Sequence, residues 1–395
     1  MRFFWIPFVA FLVINILADW LIYRWLKRNG WKRTKLIHSV VSVALVGVLA
    51  ALVATVMSQS TSNGAFVAVM WLLFVYLTAY IAKYVGLLVS VFALIPRLRE
   101  KTYRFVHHCG VTASLAVAFL MLWSALVTPR SINVEEVEFS SKRVPEDFDG
   151  YRIIHFSDTH LGTYGNSTGF IEKCVKTMNE LEADAIFFTG DLVSRQTSEA
   201  YPFREVLKQL KAKDGVYSVL GNHDYDDYMQ WDTEAQRDAD RKALRDTETN
   251  AGWRLLCDET VKICRGDTSI AVIGTENYGE SPFPKYGSLK RAYQDPTDDA
   301  FKILLQHNPQ SWRSEIVGKT RVDLMLAGHT HAMQVMINLF GHKWSPAVWK
   351  YKEWGGMYRE GDQALYVNIG LGMVGISARI GATPEITVIT LKKGK

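Results

Sequence analysis

Four long apolar stretches dominate the first third of this 395-residue sequence. They cover residues 3–23, 36–57, 65–95 and 110–128. A membrane-spanning helix needs about 20 mostly apolar residues, so each stretch is long enough to cross a bilayer. The third stretch contains Lys83, which predicts a tilted helix or a lysine that reaches towards the interface. The sequence therefore predicts a four-span membrane anchor over residues 1–129.

The first stretch has a second interpretation, which is a cleaved signal peptide. A signal peptide ends in a small-residue cleavage site, and this stretch lacks one. Three more apolar stretches follow it, so a retained span is favoured. Asp19, near the end of that span, is expected to reach the interface or to pair with a cation.

The charged residues are divided unevenly between the anchor and the rest of the chain. Residues 1–129 hold 12 of the 45 Lys and Arg but only two of the 40 acidic residues, which leaves 33 basic and 38 acidic residues for the remainder. The overall charge of +5 therefore comes from the anchor. The mildly acidic remainder argues against a nucleic-acid partner.

The loops between the apolar stretches predict the orientation in the membrane. Residues 24–35 hold six cations and residues 97–104 hold four, whereas residues 58–64 are uncharged. Cytoplasmic loops collect Lys and Arg, so the first and third loops are expected inside. Four spans then place both termini and the C-terminal domain outside, which in a bacterium is the outer face of the inner membrane.

Residues 130–395 predict one α/β domain. Residues 132–140 alternate apolar and polar side chains, as a half-exposed strand does. Short apolar runs then end in polar, glycine-containing turns, and helical stretches at 168–181 and 199–212 separate several of them. Strands that alternate with helices indicate an α/β core. Clusters of Asp, Asn and His follow the strand ends, where such sheets bind ligands.

Eight residues make up these clusters: Asp158, His160, Asp191, Asn222, His223, His307, His329 and His331. Their imidazole, carboxylate and amide groups, without a thiolate, suit Mn, Fe or Zn better than a structural zinc site. Seven of them are potential ligands, too many for one ion. Two divalent metal ions that share a carboxylate are the economical arrangement, and such a pair activates a water and holds the attacking and leaving oxygens.

Five short blocks carry these residues, and they read FSDTHLG, TGDLV, GNHD, QH and GHTH. In this order they resemble the calcineurin-like metallophosphoesterase family over residues 150–392. GHTH followed shortly by Gln334 is similar to the membrane-anchored bacterial members. The resemblance implies an α/β fold with a four-layer α-β-β-α sandwich and a metal-dependent hydrolase of phosphoric esters.

The resemblance also implies two metal sites that share Asp191 as a bridging ligand. The residues of the first site are Asp158, His160 and His331, and those of the second are Asn222, His307 and His329. His223 would bind no metal. It would be the catalytic histidine that stabilises the transition state or protonates the leaving oxygen.

The chain departs from the family pattern at one position. Many members read G-D-x-x-D, and the second Asp holds the catalytic histidine, but this chain has Ser194 there. The sequence leaves open whether His223 contacts Ser194, Asp224 or water, and Asp224 is expected to support a ligand rather than bind metal. Arg195 lies where some relatives place a phosphate-contacting arginine, so it is either a substrate contact or a solvated surface residue.

Residues 339–360 follow the last block and hold three tryptophans: Trp344, Trp349 and Trp354. Since Trp prefers membrane interfaces, this loop is expected to cap the active site or to touch lipid, with ordinary packing on the domain as the alternative. Cys257 and Cys264 flank a segment that is expected to be a turn between two strands. They either form a disulfide, which suits an oxidising compartment, or remain free thiols.

Together these features predict a metal-dependent phosphoester hydrolase that is anchored in the membrane and acts on a phospholipid or another envelope phosphoester. One alternative enzyme resembles the UDP-2,3-diacylglucosamine pyrophosphatases, whose substrate is made on the cytoplasmic side. A third hypothesis is a membrane sensor or scaffold whose domain binds phosphate without turning it over. Metal-dependent turnover separates that hypothesis from the other two.

Overall fold

The computed structural model describes residues 5–58, 60–94, 99–279, 284–293 and 299–394. The chain divides into two compact units, Met1–Ala125 and Leu126–Lys395. Each unit has its own architecture, and they are described in turn.

Four long helices form the first unit. They are α1 (Trp5–Arg28), α2 (Lys32–Met57), α3 (Asn63–Ser90) and α4 (Glu100–Leu126). By length and hydropathy, three segments of the described residues are able to cross a membrane: Lys32–Met57, Asn63–Ala93 and Glu100–Arg130. The four predicted helices are thus all present, but four spans is one more than the three that this criterion supports. Helix α1 is not among these three segments, although its sequence is on average as apolar as those of α2 and α4.

Side chains of α1, α2 and α3 form a polar cluster inside the first unit. Lys83 Nζ donates to Asp19 Oδ1 at 2.6 Å and to Ser42 Oγ at 3.2 Å. The Tyr80 hydroxyl donates to the other Asp19 oxygen at 3.0 Å. Asp19 therefore pairs with a cation, one of the two outcomes expected from the sequence, and Lys83 is held by that ion pair.

Helices α3 and α4 approach closely where both carry glycine. A Cβ built on Gly110 would lie 2.6 Å from Ser90 Oγ and 2.8 Å from the Gly86 carbonyl oxygen. A Cβ on Gly86 would collide with Ser114. Small residues four positions apart on each helix allow this approach, as is common between membrane helices.

The second unit is built from two six-stranded sheets and a separate hairpin. In chain order its described strands are β1 (Asn133–Ser141), β2 (Arg152–Phe156), β3 (Ala185–Phe188), β4 (Val216–Ser218), β5 (Arg254–Leu255), β6 (Glu259–Arg265), β7 (Thr268–Gly274), β8 (Phe301–Leu305), β9 (Leu324–Ala327), β10 (Ile337–Leu339), β11 (His342–Trp344), β12 (Gly356–Glu360), β13 (Gln363–Val367) and β14 (Glu385–Lys393). Its helices are α5 (Gly169–Glu180), α6 (Arg204–Leu207), α7 (Glu234–Asn250) and α8 (Leu289–Ala292).

The first sheet has the strand order β1-β14-β2-β3-β4-β5, and the second has the order β12-β13-β9-β8-β7-β6. Strands β2, β3, β4 and β5 run parallel to one another, as do β7, β8, β9 and β13. Antiparallel pairs join β14 to β2, β6 to β7 and β12 to β13. Strands β10 and β11 form the hairpin.

The alternation of side chains along each strand separates two layers of core. Ile153 and Phe187 of the first sheet pack with Ile303 and Leu326 of the second in one cluster. The next residues along the strands, such as Ile154, point to the opposite face, because successive side chains alternate. A fully buried Ile, Leu or Phe contributes about 1.5–3 kcal/mol, so these two interior layers hold the strands in place.

Helices cover the outer faces of both sheets. Helices α5, α6 and α7 pack on the outer face of the first sheet. The short helix α8 and the helical turn Trp312–Ile316 pack on the outer face of the second. The predicted four-layer α-β-β-α sandwich is confirmed, with a thinner outer layer on the second sheet.

One local prediction is confirmed in part and another is wrong. The helical stretch expected at 199–212 is helical only as far as Leu207, as a tight helical turn, Thr197–Phe203, followed by the single turn of α6. Pro202 lies inside that turn and has no N–H for an α-helical hydrogen bond. The segment between Cys257 and Cys264, expected to be a turn, lies mostly in β6 and pairs with β7. Both cysteines are free, so the disulfide alternative is not seen.

Candidate metal centre

The eight candidate residues lie on loops at one edge of the two sheets. Asp158 and His160 follow β2, Asp191 follows β3, Asn222 and His223 follow β4, His307 follows β8, and His329 and His331 follow β9. Parallel strands in one sheet end at the same edge, which is where α/β sheets bind ligands. The structure brings all eight together.

Asp158, His160 and His331 form the first group. Their ligating atoms all lie within 4.8 Å of one another. His331 Nε2 lies 3.2 Å from Asp158 Oδ1 and 3.1 Å from His160 Nε2. All three side chains are buried, so their donor atoms converge on a small enclosed volume.

Asp191, His307 and His329 form the second group, with ligating atoms again within 4.8 Å of one another. His307 Nε2 lies 3.2 Å from His329 Nδ1. The side-chain oxygen of Asn222 lies 3.0 Å from the same His307 nitrogen. This group therefore offers two imidazole nitrogens, a carboxylate and an amide oxygen.

One carboxylate oxygen of Asp191 faces both groups. Its Oδ2 lies 3.5 Å from His160 Nε2 and 3.2 Å from His307 Nε2. Its Oδ1 accepts a hydrogen bond of 2.8 Å from the His223 backbone N–H. The carboxylate is therefore fixed between the two groups.

Five of the eight residues have left-handed backbone conformations, with φ between 43° and 74°: Asp158, His160, Asp191, His329 and His331. Non-glycine residues rarely adopt positive φ, and each such residue costs on the order of 1–3 kcal/mol. The surrounding loops compensate by close contact. A Cβ on Gly221, for example, would collide with the Asp191 carboxylate. Strain of this kind is typical of functional sites.

Asp224 organises the loop that carries Asp191. Its carboxylate accepts hydrogen bonds from the backbone N–H groups of Asp191 at 2.7 Å, Leu192 at 2.9 Å and Gly221 at 2.9 Å. Burial, and then the charge of Asp191, raise the pKa of Asp224 to about 7. These backbone contacts give it the supporting position expected from the sequence.

His223 lies beside the first group, and its contacts answer the question left open at Ser194. His223 Nδ1 donates to the Ser194 backbone carbonyl at 2.7 Å, which leaves Nε2 without that proton. Its ring stacks on Tyr228, with ring centres 3.9 Å apart and planes 7° from parallel. The Ser194 hydroxyl instead lies 3.5 Å from His160 Nδ1. A main-chain carbonyl thus holds His223, where many family members use an aspartate.

The two carboxylates, His160 and His329 have protonation states that suit metal ligation, whereas His307 would have to release a proton. Burial opposes ionisation of Asp158 and Asp191, but the facing histidines outweigh it, and both pKa values lie below their ordinary range. Burial lowers the pKa of His160, and it lowers that of His329 to about 3. Burial also acts against a charged His307, yet Asp191 outweighs it and raises the pKa of His307 to about 9.

In the described part of the chain, neither Asp158 nor Asp191 has a lysine or arginine as its partner. Among the described residues, the ion pairs of Asp158 and Asp191 are made with histidines alone and not with Lys or Arg. Buried charges are normally paired or bound to metal. Carboxylate, imidazole and amide donors in this arrangement fit divalent cations such as Mn, Fe or Zn.

Arg195 has a different contact from the one its position suggested. Its Nε donates to the fully buried Glu199 at 2.9 Å, and Glu199 also accepts from the Ser194 backbone N–H at 2.7 Å. This ion pair ties Arg195 to the loop after β3. A contact with substrate phosphate stays a prediction.

A cavity of about 510 Å³ opens over the site. Its walls include Asp191 and His223 together with Met333, Tyr351 and Val374. The Tyr351 hydroxyl lies 3.1 Å from His329 Nε2. The cavity therefore places the polar centre against a partly apolar wall.

Sequence reasoning missed three residues that contact the candidate ligands. Tyr228 stacks on His223 and accepts a hydrogen bond from Asn222 at 2.8 Å. The fully buried Arg379 lies 3.5 Å from His331 Nδ1. Tyr351 belongs to the segment that was expected to cap the site, but no pattern marked Tyr228 or Arg379.

Comparison with known proteins agrees with this geometry. The family model described as calcineurin-like phosphoesterase matches residues 151–333. The metallophosphoesterase YkuE of Bacillus subtilis is 32% identical over 279 residues, which cover 68% of this chain and 89% of that protein. The chain therefore belongs to the calcineurin-like metallophosphoesterase family and is a phosphoester hydrolase.

Two further relatives differ in how they are described. A zebrafish transmembrane protein with a metallophosphoesterase domain is 29% identical over 292 residues, which cover 72% of this chain but only 62% of that protein. The UDP-2,3-diacylglucosamine pyrophosphatase LpxG of Chlamydia trachomatis is 24% identical over 319 residues, which cover 67% of this chain and 92% of that protein. With the apolar helices of its first unit, the chain is a membrane protein.

Proposed function

We propose that this chain uses two divalent metal ions to hydrolyse a phosphoester carried by a membrane lipid or another envelope molecule. The observation that carries the proposal is the position of Asp191, whose Oδ2 lies within 3.5 Å of one histidine from each ligand group. Asp191 belongs to two of the three groups of potential ligating atoms, and His160 of one of them also belongs to the third group. This arrangement supports two cations that share one carboxylate.

Seven residues would hold the two cations in this proposal. Asp158, His160 and His331 would bind one ion, Asn222, His307 and His329 would bind the other, and Asp191 would bridge them. When bound, such a pair supplies an activated water and neutralises charge on the phosphoryl oxygens. Mn, Fe and Zn all suit these donors.

Contacts outside the centre favour the same ligand atoms. His307 Nδ1 donates to the Thr189 backbone carbonyl at 2.7 Å, which leaves His307 Nε2 as the free donor atom on the ligand side. The Tyr351 hydroxyl occupies the outer nitrogen of His329, which leaves Nδ1 facing His307. Metal-binding histidines commonly use one nitrogen for the metal and the other for such a partner.

His223 is suited to proton transfer rather than to ligation in this proposal. Its Nδ1 proton is committed to the Ser194 carbonyl, so Nε2 is the nitrogen that would carry or release a proton. The Tyr228 ring fixes the plane of the imidazole. A histidine held in this way would protonate the leaving oxygen of the ester.

A substrate presented by the membrane is favoured by the lining of the cavity and by the loop charges of the anchor. Met333 and Val374 give the cavity an apolar wall beside the polar centre, which suits an ester with both a phosphate and a hydrocarbon part.

The cationic residues 97–104 favour a cytoplasmic start for α4. If α4 then spans the bilayer, the catalytic unit lies outside whether or not α1 also crosses.

The second candidate function is cleavage of a nucleotide–lipid pyrophosphate, which the similarity to LpxG favours. Its substrate is made on the cytoplasmic side, so the orientation separates the two candidates. Cys264 is free and exposed, which makes it a probe. In spheroplasts, a membrane-impermeant maleimide should label the wild type and not Cys264→Ser. Labelling only after lysis would favour the pyrophosphatase.

The decisive test is hydrolysis by the purified full-length protein in detergent. A generic aryl phosphodiester, a panel of lipid phosphoesters and UDP-2,3-diacylglucosamine serve as substrates, with Mn²⁺ added. We expect Asp191→Ala to lower the rate by at least about a thousandfold, and Asp246→Ala, an exposed acid on α7, to leave it unchanged. Equal rates in the two variants would contradict the proposal. Metal and phosphate binding without turnover in the wild type would favour the sensor.

A further inference from the structure

Exposed apolar side chains of the second unit are concentrated in one short segment. Seven large apolar residues with at least 41% exposure lie within residues 333–349: Met333, Ile337, Leu339, Phe340, Trp344, Val348 and Trp349. We call residues 337–349, which comprise β10, β11 and the following helical turn, the aromatic hairpin. Phe340 at its tip is fully exposed, and Trp349 is 80% exposed. A contiguous exposed apolar patch marks an interaction surface.

The exposure at the tip is not explained by the turn itself. Phe340 and Gly341 connect β10 to β11, and both have positive φ, 53° and 87°. Two-residue turns of this kind favour Asn-Gly or Asp-Gly, because few other residues adopt positive φ easily. The phenyl ring of Phe340 is fully exposed, and it does not make a positive φ easier to adopt. Its presence at this position therefore points to a binding partner.

The base of the aromatic hairpin is firmly attached. Ser345 is buried, and its hydroxyl donates to the Ala332 carbonyl at 2.6 Å. Ala347 is also fully buried and packs with Trp354 in a small core cluster. Of the three tryptophans in this region, Trp354 therefore belongs to the domain interior, while Trp344 and Trp349 contact each other edge to face on the surface.

The charged residues within the segment that contains the aromatic hairpin are all basic. Residues 332–352 contain Lys343, Lys350 and Lys352 and no acidic residue. Lys343 contacts Glu135 at 3.0 Å, while Lys352 is exposed. Apolar and aromatic side chains bordered by lysines form the pattern of a surface that lies at the interface of an anionic bilayer.

Residues that directly flank the aromatic hairpin form part of the wall of the catalytic cavity. Met333, Lys350 and Tyr351 all line it. A bilayer that binds the aromatic hairpin would therefore also lie next to the opening through which a phosphoester reaches the metal centre. This continuity connects the exposed patch to catalysis.

We propose that the aromatic hairpin inserts into a lipid bilayer that contains anionic lipid and so presents the cavity to lipid-borne phosphoesters. The second half of this statement rests on the proposed function, whereas the insertion itself does not. Phe340 and Trp349 provide the inserted side chains, and the neighbouring lysines contact the headgroups. A protein partner or a second copy of the chain is the competing occupant, and the test distinguishes it.

The test of insertion uses the full-length chain in vesicles of phosphatidylcholine and phosphatidylglycerol. The four native cysteines are replaced, and a single environment-sensitive dye is attached at Phe340→Cys or, as the matched control, at Tyr201→Cys. Tyr201 is 45% exposed and lies outside the hairpin. We expect blue-shifted emission and quenching by doxyl-labelled lipids at position 340 and neither effect at position 201.

Equal, water-like emission at both positions would overturn the proposal. A blue shift at position 340 that lipid-borne quenchers do not reduce would overturn it in favour of a protein contact. This readout needs no enzymatic activity, so it stands whether or not the proposed function fails.

A second arm connects insertion to turnover. We expect Phe340→Glu/Trp349→Glu to slow hydrolysis of a fluorescent phospholipid in these vesicles about tenfold. Hydrolysis of a soluble aryl phosphodiester should be unchanged, as it should be for Tyr201→Glu with both substrates. An equal loss on the soluble ester would indicate damage to the site and contradict the delivery role.

Discussion

Carboxylates that are largely shielded from water occur in both units of this protein, and they are compensated in different ways. In the first unit, Asp19 has a permanent cation, the Lys83 ammonium group at 2.6 Å. In the second unit, the ion pairs described for Asp158 and Asp191 are with imidazoles alone. A carboxylate that is paired with a lysine of the same chain has its charge balanced without a bound ion. A carboxylate whose ion pairs are with imidazoles alone fits a site that a bound cation would complete.

Removal of metal should give the largest effect. If Asp158 and Asp191 depend on bound cations, dialysis against a chelator should reduce hydrolysis of an aryl phosphodiester to background. Mn²⁺ or Zn²⁺ should restore it. The measurement is the rate before, during and after metal depletion. Full activity after the metal has been removed would contradict the proposed difference between Asp19, which is paired with a lysine, and the two carboxylates that would bind metal.

Replacement of His223 should give the next largest effect. His223→Gln removes the group that would protonate the leaving oxygen, and general acid catalysis contributes about 10²–10⁴-fold. We expect a fall in kcat of that size with metal content unchanged, measured by steady-state kinetics and elemental analysis. A rate close to that of the wild type would exclude His223 from proton transfer.

The built-in ion pair should behave as a structural element. Asp19→Asn leaves Lys83, whose side chain is 12% exposed, without its anion. Loss of one partner of a fully buried pair costs about 3–5 kcal/mol, so this partly exposed pair should cost less. We expect a lower unfolding temperature in detergent but an unchanged rate per folded molecule on a soluble ester. Asp19→Asn/Lys83→Met should recover most of the stability. A loss of turnover in the folded double variant would assign the pair a functional role.

Glu248 shows a third way to compensate a buried carboxylate, which is a proton. Burial, and then the charge of Asp224, raise the pKa of Glu248 to about 8. Because the folded-state pKa lies above the unfolded one, the stabilisation is complete below pH 4–5 and is lost as the pH rises towards 8. Glu248→Gln should therefore be more stable than the wild type by about 1–2 kcal/mol at pH 8, but not at pH 5. Parallel stability curves for both proteins would refute a protonated Glu248.

Ser194→Ala should give the smallest effect. The backbone carbonyl of Ser194, not its hydroxyl, accepts the hydrogen bond from His223, and the hydroxyl is 3.5 Å from His160. We expect kcat and its pH profile to stay within about twofold of the wild type, since a separation of 3.5 Å is too long for a strong hydrogen bond. A large shift in the pH profile would mean that the hydroxyl takes over the position of the missing aspartate.

Much of the catalytic fold follows from the sequence, because its strands are short, strongly apolar and end in distinctive polar turns. The runs RIIHF, AIFF and DLMLA form β2, β3 and β9. The prediction of a turn between Cys257 and Cys264 is wrong because this segment lies mostly in β6. Val261 and Ile263 are buried there and Lys262 between them is exposed, a period-2 pattern that the flanking cysteines obscured. The thin outer layer on the second sheet had no sequence signal of its own.

The candidate site was predicted less completely than the fold around it. The ligand residues form recognisable blocks, so their convergence was foreseeable. Tyr228 and Arg379 contact the centre from loops whose positions depend on tertiary packing, and no local spacing marks them. All four helices of the predicted anchor are present, and in the described part of the chain three segments are long and apolar enough to cross a membrane.

The most direct test of the account is the metal content of the purified full-length protein, measured together with its activity. The account predicts two divalent metal ions per active chain, and it predicts that Asp191→Asn lowers metal content and turnover together while Asp19→Asn changes neither in the folded fraction. A fully active chain with no more than one ion, or an Asp191→Asn variant that keeps both ions and full activity, would contradict it.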